Sequence, residues 1–202
     1  MVRDMGEVKY ITALDQEHHI FLDPWHEAYP NAKLIGPDTL HPKREKQGMG
    51  LPFAHLFKKA EPMNIDPDFD REFEYEYVDA HANKELVFCH KPTRTLIEAD
   101  LLFNLPATEQ MSKTGESARS GLLTQLMNSI NTTQGTAIWQ KRFLWYALSS
   151  GDRTGFNKSM AKIDKWDFDR LIPCHGDVID TGAKGIFGKI MEWHLAAAKK
   201  AN

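Results

Sequence analysis

Alternating apolar and polar positions predict strands near the start of the chain, with a helix between them. Residues 8–13 (V-K-Y-I-T-A) alternate and are rich in β-branched and aromatic side chains, which predicts a strand. A polar loop at 15–19 leads to residues 20–29, whose apolar positions have helical spacing. Residues 32–35 predict a second strand, which ends before Gly36. This order of elements is that of a βαβ unit.

The middle of the chain combines a basic segment with a predicted hairpin. Residues 41–50 are basic and contain glycine, so they predict a surface excursion in which Lys43, Arg44 and Lys46 are solvated. The pattern then predicts a short helix, a loop and three strands, in that order, at 51–59, 61–70, 73–78, 85–90 and 93–100. Lys91 and Pro92 indicate a hairpin turn between the last two strands.

The second half of the chain is mainly helical in pattern. Residues 106–121 are polar and rich in turn formers, which predicts a mobile surface segment. Helical spacing of apolar residues predicts helices at 122–130, 137–149 and 156–166, and a last helix after Gly182. A short buried strand is predicted at 171–173. This mixed order predicts an α/β fold whose sheets are flanked by helices.

Composition narrows the class of protein further. The 202 residues suffice for one domain, and 42% apolar with 26% charged residues is ordinary for a globular protein. A net charge of -3 shows no basic excess, so we expect no nucleic-acid and no membrane partner. The two cysteines, Cys89 and Cys174, form no C-x-x-C motif, which indicates a reducing compartment. Together with the lack of a leader-like apolar run, this predicts a cytoplasmic protein.

Side chains that bind metal ions stand where several predicted strands end. Asp100 and His175 each close an apolar, strand-like run, and ligands are often carried at such places. Further candidates follow the first strand and the strand at 73–78, namely Asp15, Glu17, His18 and His81. Imidazole and carboxylate groups from distant parts of a chain are the donors that zinc, iron and manganese prefer. The sequence therefore predicts a divalent-metal site.

Two of these segments resemble signatures of a known superfamily. Residues 99–103 (A-D-L-L-F) and 173–177 (P-C-H-G-D) are similar to the G-D-L-L-F and P-G-H-G-D signatures of the metallo-β-lactamase-fold superfamily. The resemblance implies an αββα sandwich over residues 1–202, with a helical insertion at about 106–165. It also implies that Asp100 is a bridging carboxylate, that His175 is the last ligand and that His81 is the middle histidine ligand. The run from His90 to Pro106 further resembles an uncharacterised fungal-type branch.

The first signature of that superfamily, H-x-H-x-D-H, is altered in this chain. Residues 13–18 read A-L-D-Q-E-H, so only the last histidine of the signature, His18, is present. Asp15 stands where the family has a histidine, and an oxygen ligand there favours a harder ion such as manganese or iron over zinc. Glu17 is a candidate ligand or general base. We expect one metal rather than two, and a vestigial site is an open alternative.

The resemblance also carries an expectation about the amino terminus. Seven residues precede Val8, whereas the family has several strands before the histidine loop. An uncovered sheet edge favours pairing with another chain, so we expect a homodimer or a rearranged amino-terminal region.

These features together predict a metal-dependent hydrolase of a small molecule. The expected metal ligands are Asp15, His18, His81, Asp100 and His175, and the expected catalytic residues are Glu17 and Asp100. Such a centre suits an ester, lactone, thioester or amide bond. One alternative is a catalytically inactive protein in which the fold serves as a binding or scaffold module. Another is a cysteine-dependent hydrolase that uses Cys174 and His175.

Overall fold

A parallel sheet forms the first half of the protein. The structure is a computed structural model that describes residues 2–201. The strands of this sheet are β1 (Tyr10–Thr12), β2 (Lys33–Pro37) and β3 (Phe53–Phe57), in the order β1-β2-β3. Ile11 lies opposite Leu34 in the parallel pairing of β1 with β2, so the predicted βαβ unit is confirmed.

A mixed sheet forms the second half. Its strands, in spatial order, are β4 (Phe73–Val78), β5 (Glu85–His90), β6 (Thr95–Ile97) and β7 (Arg170–Ile172). The first three pair antiparallel, which confirms the predicted hairpin, whereas β7 runs parallel to β6. Because parallel strands end at the same edge of a sheet, the segments that follow β6 and β7 emerge side by side.

Helices connect and cover these strands. In chain order, the described residues contain α1 (Leu22–Ala28), α2 (Leu40–Lys46), α3 (Pro67–Glu72), α4 (Thr108–Met111), α5 (Leu122–Ile130), α6 (Ile138–Phe143), α7 (Arg153–Ile163), α8 (Ala183–Ile190) and α9 (Glu192–Ala201). A 3₁₀ turn precedes β1 at Val2–Met5, and α6 continues into a π-helical turn at Leu144–Leu148. None of the helices within residues 2–201 is long and apolar enough to cross a membrane.

The two sheets pack face to face between helices. Alternate residues of β5 show this arrangement, because Leu86 and Phe88 belong to the apolar cluster that includes Phe57 of the other sheet, whereas Val87 and Cys89 belong to the cluster on the opposite face. Both faces of β5 are therefore buried, which explains its continuous apolar run. The outer faces of the two sheets pack against α1 and α2 on one side, and against the π-helical turn and α7 to α9 on the other. This is the αββα sandwich that the resemblance implies.

The segment at 41–50 agrees only in part with the solvated surface excursion that its charges predict, because Lys46 is exposed but Arg44 is not. It contains α2, and Arg44 within it is fully buried. The Arg44 guanidinium donates to the carbonyl of His19 at 3.0 Å and pairs with Asp23 at 2.5 Å. A buried charge is tolerated when it is paired and hydrogen-bonded, and charge patterning in sequence cannot show such a distant partner.

Within the helix predicted at 51–59, residues Phe53–Phe57 form strand β3 instead. Short apolar runs fit either element, and here the parallel pairing of β3 with β2 decides between them. The loop predicted at 61–70 also ends earlier than expected. Asp66 begins α3, because its carboxylate accepts the backbone N–H groups of Asp68 and Phe69, both at 3.1 Å, and Pro67 occupies the first turn.

Candidate metal centre

Three of the predicted ligand residues converge at the carboxyl ends of their strands. Asp100 follows β6, His175 follows β7, and His18 lies in the loop after β1. His18 Nε2 lies 3.1 Å from His175 Nε2, and His175 Nε2 lies 3.5 Å from Asp100 Oδ1. Neighbouring donors on a tetrahedral ion with bonds of about 2.0–2.1 Å are about 3.4 Å apart. Both measured separations are therefore close to those between ligands of one ion.

Asp15 closes the loop that carries His18. Its carboxylate is fully buried, and Oδ1 accepts the backbone N–H groups of Glu17 at 2.8 Å and His18 at 2.7 Å. The other oxygen, Oδ2, accepts from His18 Nδ1 at 2.8 Å. A proton on Nδ1 leaves the Nε2 lone pair free, and Nε2 is the atom that faces His175. Asp15 therefore orients the ring of His18.

Buried glutamates shape the turn that carries Asp100. The Glu85 carboxylate accepts the backbone N–H groups of Ala99, Asp100 and Leu101 at 2.6–3.2 Å. Glu98 Oε2 accepts that of Leu101 at 2.8 Å and a second one at 3.2 Å. Burial raises the pKa of both carboxyl groups well above the usual range, although these hydrogen bonds oppose the shift. The sequence pattern did not single out either glutamate. Each is an acidic residue within or beside an apolar strand-like run, and that position is the one local sign of a buried carboxylate.

One carboxylate oxygen of Asp100 is hydrogen-bonded and the other is not. Oδ2 accepts from Asn83 Nδ2 at 2.6 Å, whereas Oδ1 is buried without a hydrogen-bond partner within the described residues. Burial raises the pKa of Asp100, and the nearby rings of His18 and His175 oppose that shift. A buried polar atom without a partner is uncommon in native structures. A cation beside His175 would satisfy this oxygen, so the residues present fit a metal ion.

The loops that carry Asp100 and His175 are held together through Gly176. The Asn104 N–H donates to the carbonyl of His175 at 3.3 Å, and the Asp177 N–H donates to the carbonyl of Asn104 at 3.0 Å. Gly176 has φ +109°, and a Cβ at this position would overlap the backbone carbonyl of Asn104. Only glycine allows this approach without strain.

The structure does not bring His81 into this cluster. Its side chain is fully buried and stacks on Phe156 with ring centroids 6.1 Å apart. Burial lowers the pKa of His81 to about 4, so the ring is neutral at physiological pH. Its Nδ1 lies 3.1 Å from the backbone N–H of Asn83 and accepts from it. A neutral ring that accepts at Nδ1 carries its proton on Nε2 and has no free lone pair for an ion.

Glu17 also points to a different partner. Its side chain is 49% exposed, and its carboxylate pairs with Lys43 Nζ at 2.9 Å. Its predicted role as a base is therefore not supported by a contact with Asp100 or His175 within the described residues.

Potential ligand atoms form two compact groups that share His18. One group contains His18, Cys174 and His175, and the other contains Asp15, His18 and Asp100, with the atoms of each group within 4.8 Å of one another. The side chains of His175 and His18 are 47% and 33% exposed, so the cluster opens to solvent. Burial and nearby carboxylates raise the pKa of the Cys174 thiol to about 11, which argues against the cysteine-hydrolase alternative.

The similarity of this protein to known proteins lies in its structure rather than in its sequence. No protein-family model and no curated protein matches the sequence. Among solved structures, a metallo-β-lactamase from Hirschia baltica superposes with a TM-score of 0.51 and 12% identity, over 92% of this chain and 68% of that one. The rubredoxin oxygen:oxidoreductase of Desulfovibrio gigas gives a TM-score of 0.60 with 13% identity, over 92% of this chain and 44% of that one.

This protein has the metallo-β-lactamase fold. The flavodiiron protein of Giardia intestinalis shares it as well, with a TM-score of 0.58 and 9% identity over 96% of this chain. The fold that the resemblance of residues 99–103 and 173–177 implies is thus confirmed, and the fungal-type branch stays a prediction. The chain spans less than half the length of the flavodiiron protein and the oxidoreductase.

Proposed function

We propose that this metallo-β-lactamase-fold protein is a metal-dependent hydrolase with one divalent ion per chain. The observation that carries the proposal is the convergence of His18, Asp100 and His175 from three separate strand ends. Each donor is oriented by a further contact, from Asp15 to His18, from Asn83 to Asp100, and from Asn104 to the backbone of His175. Orientation of this kind is typical of metal ligands.

The bound ion would supply a Lewis acid that polarises a carbonyl group and makes water more acidic. The chain's own groups would hold the reacting partners in place. His18 and His175 present ring nitrogen atoms to the ion, and Asp100 Oδ1 offers a buried oxygen without another partner in the described residues. The open position of the cluster would admit a small substrate with an ester, lactone, thioester or amide bond. Glu17, next to His18, is the proposed auxiliary base.

A non-catalytic role is the second candidate. Ala13 occupies the first histidine position of the family signature, and His81 belongs to neither compact group of ligand atoms among the described residues. A protein that kept the fold as a binding module would show these same losses.

Elemental analysis tests the metal centre directly. We expect close to one zinc, iron or manganese ion per chain in protein purified without chelators. His175→Ala and Asp100→Ala should lose the metal, whereas His41→Ala, which removes a histidine of α2, should retain it. Circular dichroism would establish that the variants fold. A folded wild-type protein without metal would refute the proposal.

Hydrolysis assays then separate the two candidate functions. Metal-loaded protein should cleave at least one class in a panel of chromogenic esters, lactones, thioesters and amides, and His175→Ala should not. Stoichiometric metal without hydrolysis of any class would favour the binding module.

A further inference from the structure

The residue before His175 places a thiol beside the two exposed imidazoles. Cys174 Sγ and one ring nitrogen each of His18 and His175 lie within 4.8 Å of one another. Asp100 does not belong to this compact group, although it lies near His175. An ion shared by His18 and His175 would therefore have a sulfur atom among the donors around it.

The backbone holds Cys174 in this position from both sides. Its N–H donates to the carbonyl of Ala99 at 3.3 Å, and its carbonyl accepts from Gln110 Nε2 at 2.7 Å. The first contact connects the cysteine to the turn that carries Asp100, and the second connects it to α4. The position of the thiol is thus determined by the same loops that assemble the centre.

The other cysteine shows a different environment. Cys89 is fully buried in β5, and its Sγ donates to the carbonyl of Asp167 at 3.9 Å. Cys174 is partly exposed, and its Sγ makes no hydrogen bond to the side chains and backbone groups that the structure describes. Cys89 is therefore a structural residue and a suitable control, whereas Cys174 has a sulfur atom without a protein partner beside two imidazoles.

We propose that Cys174 is a thiolate ligand of the ion bound by His18 and His175. The inference rests on the proposed function for the presence of an ion, and it adds the chemical class of that ion. A thiolate with two imidazoles selects zinc, cobalt or cadmium over manganese and magnesium. This reverses the preference for a harder ion that Asp15 suggests from sequence, because Asp15 is engaged by His18 and the loop backbone.

Catalytic zinc sites bind histidine, cysteine and carboxylate donors and can expand to five-coordinate in the transition state. Asp100 Oδ1, 3.5 Å from His175 Nε2, would remain a donor to the same ion, and the exposed side of the cluster would still admit a substrate. The ligand role of Cys174 is consequently compatible with hydrolysis.

Cobalt spectroscopy tests the ligand assignment without an activity assay. Co²⁺ would be titrated into the metal-free, full-length protein, and the near-ultraviolet thiolate-to-cobalt charge-transfer band would be recorded together with the visible d–d bands. We expect the charge-transfer band in the wild type and in Cys89→Ser, and its loss in Cys174→Ser. Cobalt affinity of Cys174→Ser should fall about tenfold or more, at least as much as when a residue that orients a ligand is removed.

The possible outcomes separate the two proposals. Visible bands without a charge-transfer band in the wild type would overturn the role of Cys174 and leave the metal centre standing. Absence of cobalt binding would overturn both proposals. A charge-transfer band that survives in Cys174→Ser would also refute the assignment.

A second measurement needs no variant and so does not depend on the folding of Cys174→Ser. The wild-type protein would be treated with iodoacetamide at mildly alkaline pH with and without zinc, and the modified peptides quantified by mass spectrometry. Zinc should slow alkylation of Cys174 at least several-fold, while manganese at the same concentration should not. Equal alkylation with and without zinc would contradict the proposal.

Discussion

Replacement of Gly176 by alanine tests whether the approach of two loops builds the centre. Gly176 has φ +109°, and a Cβ would lie 2.9 Å from the Cα of Asn104 and overlap its carbonyl. A non-glycine residue in such a conformation costs roughly 1–3 kcal/mol. Overpacking against atoms that cannot rotate away costs a further 1–3 kcal/mol or so. We therefore expect Gly176→Ala to lower the free energy of unfolding by about 2–6 kcal/mol.

Gly182→Ala is a matched control for the backbone conformation. Gly182 also has a positive φ, +73°, but a Cβ there would meet no atom within 4 Å. Its substitution should cost about 1–2 kcal/mol from the left-handed conformation alone. The difference between the two variants reports the steric overlap with Asn104 together with any additional strain of φ +109° relative to φ +73°. Urea denaturation followed by circular dichroism measures both losses.

The same variant should weaken the metal centre. The Asn104 carbonyl and N–H connect the segment after Asp100 to the segment around His175. If the added methyl group separates these loops, cobalt affinity should fall about 10–100-fold, the effect typical of disturbed ligand orientation. Gly182→Ala should bind cobalt like the wild type. Equal losses of stability in the two variants, or unchanged cobalt affinity in Gly176→Ala, would refute the reasoning.

Asp15→Asn should reduce cobalt affinity about 10–100-fold. The reason is that an amide NH₂ facing His18 Nδ1 favours the tautomer with its proton on Nε2, the nitrogen that would bind the metal. An affinity equal to that of the wild type would show that Asp15 does not orient the ring. Stability should fall as pH drops from 6.5 towards 4, because burial lowers the pKa of His194 to about 4 and only the unfolded state binds the proton readily in that range. The loss attributable to His194 is at most about 3 kcal/mol, and His194→Gln should remove that part of the slope in urea titrations; an unchanged slope would contradict it. Light scattering should detect a homodimer, because β1 is the outer strand of its sheet and borders a groove of about 600 Å³; a monomer at all concentrations would argue against it.

Elements whose stability depends on nearby residues were predicted well. The bounds of β4 and β5 agree with the alternating runs at 73–78 and 85–90, and those of α5 agree with the apolar spacing at 122–130. In contrast, α2 and β3 were assigned incorrectly. Arg44 is buried because Asp23, 21 residues earlier, pairs with it, and β3 is a strand because β2 lies beside it. Neither partner is visible in a local pattern.

The candidate site, like the fold, was predictable from sequence only in part. The sequence by itself determined the residue types and their positions at strand ends, including Asp100 and His175, because periodicity and turn formers act over a few residues. Only the tertiary structure decided which side chains meet. It placed Asp15 against His18, it placed the backbone N–H of Asn83 against Nδ1 of His81, and it brought Cys174 next to the two imidazoles. These outcomes depend on the packing of two sheets and on hydrogen bonds between segments far apart in the chain, which no local pattern encodes.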